Sequence, residues 1–326
     1  MTNIYKINLQ LFAELNTNTL TALSIENKTF YDMTLIDEAS PELVHDQFGQ
    51  KRPIPANGGT TINFRKFASL PKATTPLTEG VTPDGKSLNV TDITAEVKQY
   101  GDYIVQSDML ELSSIDNTIV EATKILGRQA GMTLDTITRN ILQSGTNVFY
   151  APKGDGTAVT SRTGLDNTCV LTVDLIKKVV AKLRANNAPK IDGDYVAIIH
   201  PYVAYDLMSD ETWIEAHKYA QPENLYKGEI GKIAGVRFVE SSEAKIYDSG
   251  VFGCLIFGAG AYGTTEITGG GLQTIIKQKG SAGTGDPLDQ RSSIGWKATK
   301  TAEILVDAYL ARVECKSAFS TDAEAN

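Results

Sequence analysis

TIVEATKILGRQAGMTLDTITRNILQS, residues 118–144, carries the strongest periodic signal in the chain. Ile119, Ala122, Leu126, Ala130, Leu134, Ile137 and Ile141 recur every three or four positions, so one face of a single helix is apolar. At 1.5 Å per residue such a helix runs roughly 40 Å, well beyond an average one. Asp116 or Asn117 can cap its start, Glu121 suits its first turn, and Gly145 stops it. Gly127 and Gly131 sit inside it, each costing about 1 kcal/mol against alanine. Four residues apart, they share a face, and the reading is that another element packs closely against the backbone there.

Upstream, TTINFRKF (60–67) alternates Ile62 and Phe64 with polar Asn63 and Arg65, the two-residue period of a half-exposed strand. A second strand begins in DITAEVKQYGDYIVQSD (92–108), where Ile93, Ala95 and Val97 alternate. Between them Pro71, Pro76 and Pro83 break the chain, and Gly80 and Gly85 supply turns. A connection this long is uncommon in a compact domain. It reads as a two-stranded flap projecting from the body, poor in apolar side chains. An isolated hairpin is marginal in water, so the flap needs a neighbour to lie against. Residues 1–58 read as an arm with one short helix from Asn27 to Ala39. Pro53 and Pro55 are expected to exclude regular structure after it. The arm has too little apolar content for its own core and is expected to pack on other parts or other chains.

Downstream, TVDLIKKVVAKLRANNA (172–188) is a second helix with Leu175, Ile176, Val179, Val180 and Leu183 on its apolar face. DYVAIIHP (194–201) is a buried strand, followed by a short helix in YVAYDLMSD. VRFVES, GVFGCLIFG, LQTIIKQKG, RSSIGWKATKTAEILVD and AYLARVECKSAF read as strands. SAGTGDPLDQ reads as a flexible loop, and residues 320–326 as a frayed tail. Strands and helices mix without a βαβα rhythm, so the fold class is α+β.

The chain has 326 residues, 41% of them hydrophobic and 21% charged, an ordinary globular composition. Its net charge is −8 and it carries no basic stripe, which argues against tight binding to nucleic acid. No stretch approaches the ~20 apolar residues of a membrane span. The N-terminus lacks the continuous apolar core of a signal peptide. Cys169, Cys254 and Cys315 have no metal-ligand spacing and read as buried thiols.

Candidate chemistry is sparse. GAGAYG (258–263) has dinucleotide-binding spacing at Gly258, Gly260 and Gly263, but TTEITGGG follows where a helix must start. A tight turn is the better reading. His45, His200 and His217 make no metal-binding pair, and His200 lacks a nucleophile partner. Asp102, Asp108 and Glu111 read as a solvated acidic face. GDGT (154–157) lacks the remaining ligands of a calcium loop. No catalytic, cofactor or metal residues are assigned.

The chain resembles the major capsid proteins of tailed bacteriophages. The resemblance rests on INLQLFAE at Ile7–Glu14, on LVHDQFGQKRPIPANGGTTINFRKF through SLPKATTPLTEGVTPDG, and on QAGMTLDTITRNIL in the long helix. It extends over most of the chain and is densest from Leu43 to Leu142. It implies an N-terminal arm (1–58) and an extended E-loop hairpin (59–105). A P-domain with a spine helix (106–170) and a mixed A-domain (171–284) follow, then return strands of the P-domain with a C-terminal tail (285–326). It implies a non-enzymatic protein that self-assembles as hexamers and pentamers into an icosahedral shell. The shell would enclose double-stranded DNA without tight specific binding and work with a portal and scaffold or cement proteins. The chain would be made in the bacterial cytoplasm and end in the virion. The flap-tip residues Lys72, Glu79, Asp84 and Lys86 would lie on an adjacent subunit. Two other readings stand beside it: an encapsulin-like nanocompartment shell, and a nucleotide-dependent enzyme built around GAGAYG.

Overall fold

The computed structural model describes residues 33, 35–39, 43–67, 70, 72–77, 79–82, 84–113, 118–218, 231–281, 285–320 and 323–326. Among the described residues, fourteen strands are arranged in three sheets. The strands are β1 (Gln50–Lys51), β2 (Thr61–Phe67), β3 (Val90–Glu96), β4 (Lys98–Ser107), β5 (Val148–Tyr150), β6 (Tyr195–Ile199) and β7 (Lys232–Ile233). They continue with β8 (Val236–Glu240), β9 (Lys245–Tyr247), β10 (Val251–Phe257), β11 (Tyr262–Thr265), β12 (Gln273–Lys277), β13 (Arg291–Ile304) and β14 (Leu310–Cys315).

One sheet runs β1-β11-β13-β12, with β4 alongside β13. β4 and β13 pair antiparallel from Lys98↔Lys300 to Ser107↔Arg291. The long helix, Thr118–Leu142, lies on this sheet. Its Ala122, Leu126, Ala130 and Leu134 pack on Ile294, Trp296 and Ala298 of β13, as the three-to-four periodicity requires. The expected cap residues Asp116 and Asn117 lie outside the described residues.

Gly127 is where the helix is crossed. A Cβ there would sit 2.9 Å from the Leu35 carbonyl oxygen and 3.0 Å from Glu38 Cβ, so the helical arm segment, residues 35–39, rides directly on helix backbone. Replacing glycine by alanine in a free helix gains about 1 kcal/mol. Here the added methyl meets backbone that cannot step aside, and overpacking costs about 1–3 kcal/mol. Gly127→Ala is therefore expected to lower the thermal midpoint. A raised midpoint in calorimetry would show that the arm segment is not seated on the helix.

The second sheet runs β5-β14-β10-β6-β8-β7, with β9 on β10. β6 and β10 are buried at every position. Helix Val173–Ala185, capped by Thr172, covers one face through Leu175, Ile176, Val179, Val180 and Leu183. Leu142 of the long helix meets the other face at Val196, Ile198, Leu255 and Phe257. Coverage on both faces explains why VAII and VFGCLIF are continuous apolar runs. The last stretch of chain is divided between the sheets, β13 in one and β14 in the other.

Pro53 and Pro55 end regular structure, as expected: β1, paired parallel with β11, stops at Lys51, and only an isolated bridge, Ile54↔Ile267, follows. Arg52 N donates to Thr264 O at 3.0 Å and Ile54 N to Glu266 O at 2.8 Å. The prolines alternate with these donors, where a missing N–H on an edge strand costs nothing. Two sequence expectations change. The tail is not frayed at its end, because Asn326 N donates to Ile246 O and Asn326 Oδ1 accepts from Ile246 N at 2.9 Å. Finally, SAGTGDPLDQ is anchored at Asp286, which is buried and accepts from Arg291 N at 2.7 Å.

Candidate functional site: the flap and the arm anchor

β2 and β3 pair antiparallel from Thr61↔Glu96 to Phe67↔Val90, forming a separate two-stranded sheet. Its base is held to the body, with Phe64, Ala95 and Val97 buried. Beyond the last pair every described residue from 70 to 89 is exposed, including Lys72, Glu79, Asp84 and Lys86. Leu77, Val81 and Leu88 are also bare, at 77%, 62% and 64% exposure. The sequence reading passed over these three as minor content of a polar loop. Their signal was the absence of any local periodicity that could bury them.

A second uncovered surface lies on the sheet face opposite the long helix. Tyr103, Gly295 and Ile275 stand side by side across β4, β13 and β12. With Lys297 and Gly101 they line an open groove of about 420 Å³. Tyr103 is 68% exposed and neighbouring Val105 51%.

The arm, by contrast, is anchored to the rest of the chain by buried polar groups. His45 N donates to Asp135 Oδ1 and His45 Nδ1 to Asp135 Oδ2, both at 2.6 Å. Both residues are essentially inaccessible. The Tyr262 hydroxyl donates to the His45 carbonyl. Burial, reinforced by the nearby Asp46 and Asp135 carboxylates, pushes that phenol well above its ordinary range. Lys300 Nζ pairs with Asp46 Oδ1 at 2.7 Å. On the same helix face one turn on, buried Arg139 donates to the Glu243 carbonyl at 2.6 Å. A further turn on, Gln143 Nε2 donates to the Gly253 carbonyl at 2.7 Å. Asp135, Arg139 and Gln143 thus tie the end of the long helix to the arm and to the second sheet. The sequence reading assigned His45 no role, since its partner lies 90 positions away.

The residues considered for chemistry have structural work. GAGAYG joins β10 to β11 without a helix. At Gly258 a Cβ would lie 2.3 Å from the Pro189 carbonyl, which requires glycine there. His200 caps helix Pro201–Met208, its Nδ1 accepting from Tyr202 N at 3.1 Å. Asp102 and Asp108 are not merely solvated: Asp102 accepts from Gln129 Nε2 at 2.6 Å and Asp108 from Met109 N at 2.7 Å. The Glu111 and His217 side chains lie outside the described residues. Asp155 of GDGT accepts from Thr157 N, a local turn. The three thiols are buried, with Cys254 and Cys315 Sγ 3.9 Å apart across β10 and β14. Among the described residues no three His, Cys, Asp or Glu side chains group as a metal site. No helix among them is long and apolar enough to cross a membrane.

The fold is that of tailed-phage capsid proteins. The chain is similar to the capsid protein of cyanophage P-SCSP1u, with a TM-score of 0.64 at 15% identity over 82% of this chain and 86% of that one. The capsid of Ralstonia phage GP4 aligns over 86% of this chain and 89% of that one, with a TM-score of 0.63 at 14% identity. An encapsulin from Synechococcus elongatus aligns over 86% and 89% with a TM-score of 0.53 at 10% identity. No curated protein sequence matches the chain. The model of the phage capsid protein family matches residues 10–264, and the chain belongs to that family. It is a phage capsid shell protein, and so a component of the virion.

Proposed function

We propose that the chain is the repeating unit of an icosahedral shell of hexamers and pentamers enclosing double-stranded phage DNA. The observation that carries this reading is the flap, an extended hairpin whose described tip residues touch no core of their own. Lys72, Glu79, Asp84 and Lys86 contact a neighbouring subunit, and the bare Leu77, Val81 and Leu88 contribute the apolar part of that contact. The arm (1–58), E-loop (59–105), P-domain (106–170), A-domain (171–284) and return strands with tail (285–326) are its working parts. The subunit is made in the host cytoplasm, works with a portal and with scaffold or cement proteins, and performs no catalysis. The phage reading is favoured over a nanocompartment by the family match and by the higher structural similarity to phage capsids.

Purified protein should sediment as capsomers and, under permissive conditions, as closed shells visible in negative stain. A folded monomer persisting at high concentration in sedimentation would overturn the proposal. With a net charge of −8, the subunit should bind duplex DNA weakly, with any binding lost as salt rises. Nanomolar affinity at physiological salt in an anisotropy titration would contradict the packaging role assigned here.

A further inference from the structure

The C-terminal segment is fastened to helix Pro201–Met208 by a compact set of contacts. Just before these contacts, and away from that helix, Lys316 N donates to Cys169 O at 2.8 Å. Ser317 Oγ donates to Tyr202 O, and Ala318 N to Asp206 Oδ2, each at 3.1 Å. Phe319 stacks on Tyr202 with ring centroids 4.6 Å apart and meets Tyr205 at 5.4 Å. Beneath this stack lies His200. Its ring touches Tyr202 at 4.7 Å and Phe252 of β10 at 5.0 Å, and only 9% of the residue is exposed.

His200 joins two jobs that both need a neutral imidazole. Its Nδ1 lone pair caps the helix by accepting from Tyr202 N, and its ring fills an aromatic pocket. A proton on Nδ1 removes the acceptor and puts a charge on a ring that burial keeps from water. We infer that the segment from Ser317 to Phe319 is an acid-released clasp on helix Pro201–Met208, with His200 as its trigger.

Burial holds the His200 imidazole below its ordinary range. The neutral form therefore stabilises the folded arrangement fully above the ordinary value of about 6.5. That contribution declines as pH falls from there through the depressed folded value. The groups packed against its ring are Tyr202, from the helix it caps, and Phe252 of β10, which brings no charge; the nearest acid to the segment is Asp206, which bonds Ala318 N. Asp206 is held above the carboxylate range, first by burial. Its carboxyl accepts from Ala318 N and is the rival trigger, so the test separates the two.

Hydrogen exchange of the full-length protein between pH 8 and pH 5, corrected for intrinsic rates, reads the clasp directly. Amides of residues 318 and 319 should exchange at least tenfold faster at pH 5, with a midpoint below about 6.5. His200→Asn keeps a good capping side chain without a titrating one, so its exchange should be insensitive to pH. Asp206→Asn should retain the acid response. A flat wild-type profile overturns the inference. So does a midpoint above the ordinary histidine range, which can be read even if the asparagine variant fails to fold. Survival of the response in His200→Asn with loss in Asp206→Asn would assign the trigger to the carboxyl and reject His200.

Discussion

Deleting Pro71–Lys86 and closing the hairpin with a tight turn is expected to leave a folded subunit that no longer forms shells. The described residues of this stretch are all exposed, so the core loses no partner. The hairpin base keeps Phe64, Ala95 and Val97 buried, and the helix signal in circular dichroism should match the full chain. Assembly stands differently. Single exposed ion pairs at Lys72, Glu79, Asp84 or Lys86 are worth under about 1 kcal/mol each. Repeated at every subunit of a closed shell, such contacts act together, as multivalent attachments do. Leu77 and Val81, exposed in the isolated subunit, add apolar area at each contact. The variant should stall at small capsomers in sedimentation and show no shells in negative stain. Normal particles of equal thermal stability would mean that the flap bridges no subunits.

Asp135→Ala is expected to be the most damaging point substitution near the arm. The carboxylate is fully buried and accepts both the backbone N–H and the imidazole of His45. Removing it strands two buried donors where water cannot reach them, and losing one partner of a buried pair costs about 3–5 kcal/mol. His45→Ala should cost less, because Asp135 then keeps the backbone donor. The double variant should be no worse than Asp135→Ala alone, since the shared contact can be lost only once. Denaturant unfolding of the four proteins measures the coupling. Additive losses would show that the pair does not act as one unit.

Much of the fold was legible because its signals are local. The long helix is visible in Ala122, Leu126, Ala130 and Leu134, and these same residues contact β13. The strand character of β6 and β10 follows from continuous apolar runs, and the flap from three prolines between two alternating strands. Gly127 announced a close approach, which Leu35 and Glu38 supply. The failures were failures of partner. Pro53 and Pro55 do end strand β1 at Lys51, but the sequence does not show that Arg52 N and Ile54 N go on to bond Thr264 O and Glu266 O beyond it. Asn326 read as frayed because Ala244 and Ile246, its acceptors, are remote in the chain.

By itself the sequence determined which segments become helix and strand and which stretch cannot bury itself. Those properties are set by side-chain periodicity, backbone restriction and short-range spacing, all of which act within a few residues. Only the tertiary structure decided that His45 meets Asp135, that β13 and β14 divide between two sheets, and that Ser317 and Ala318 bond helix Pro201–Met208. Each of these joins groups far apart in the chain. Their energies come from burial and from polar pairing out of water, which exist only once the chain has closed on itself.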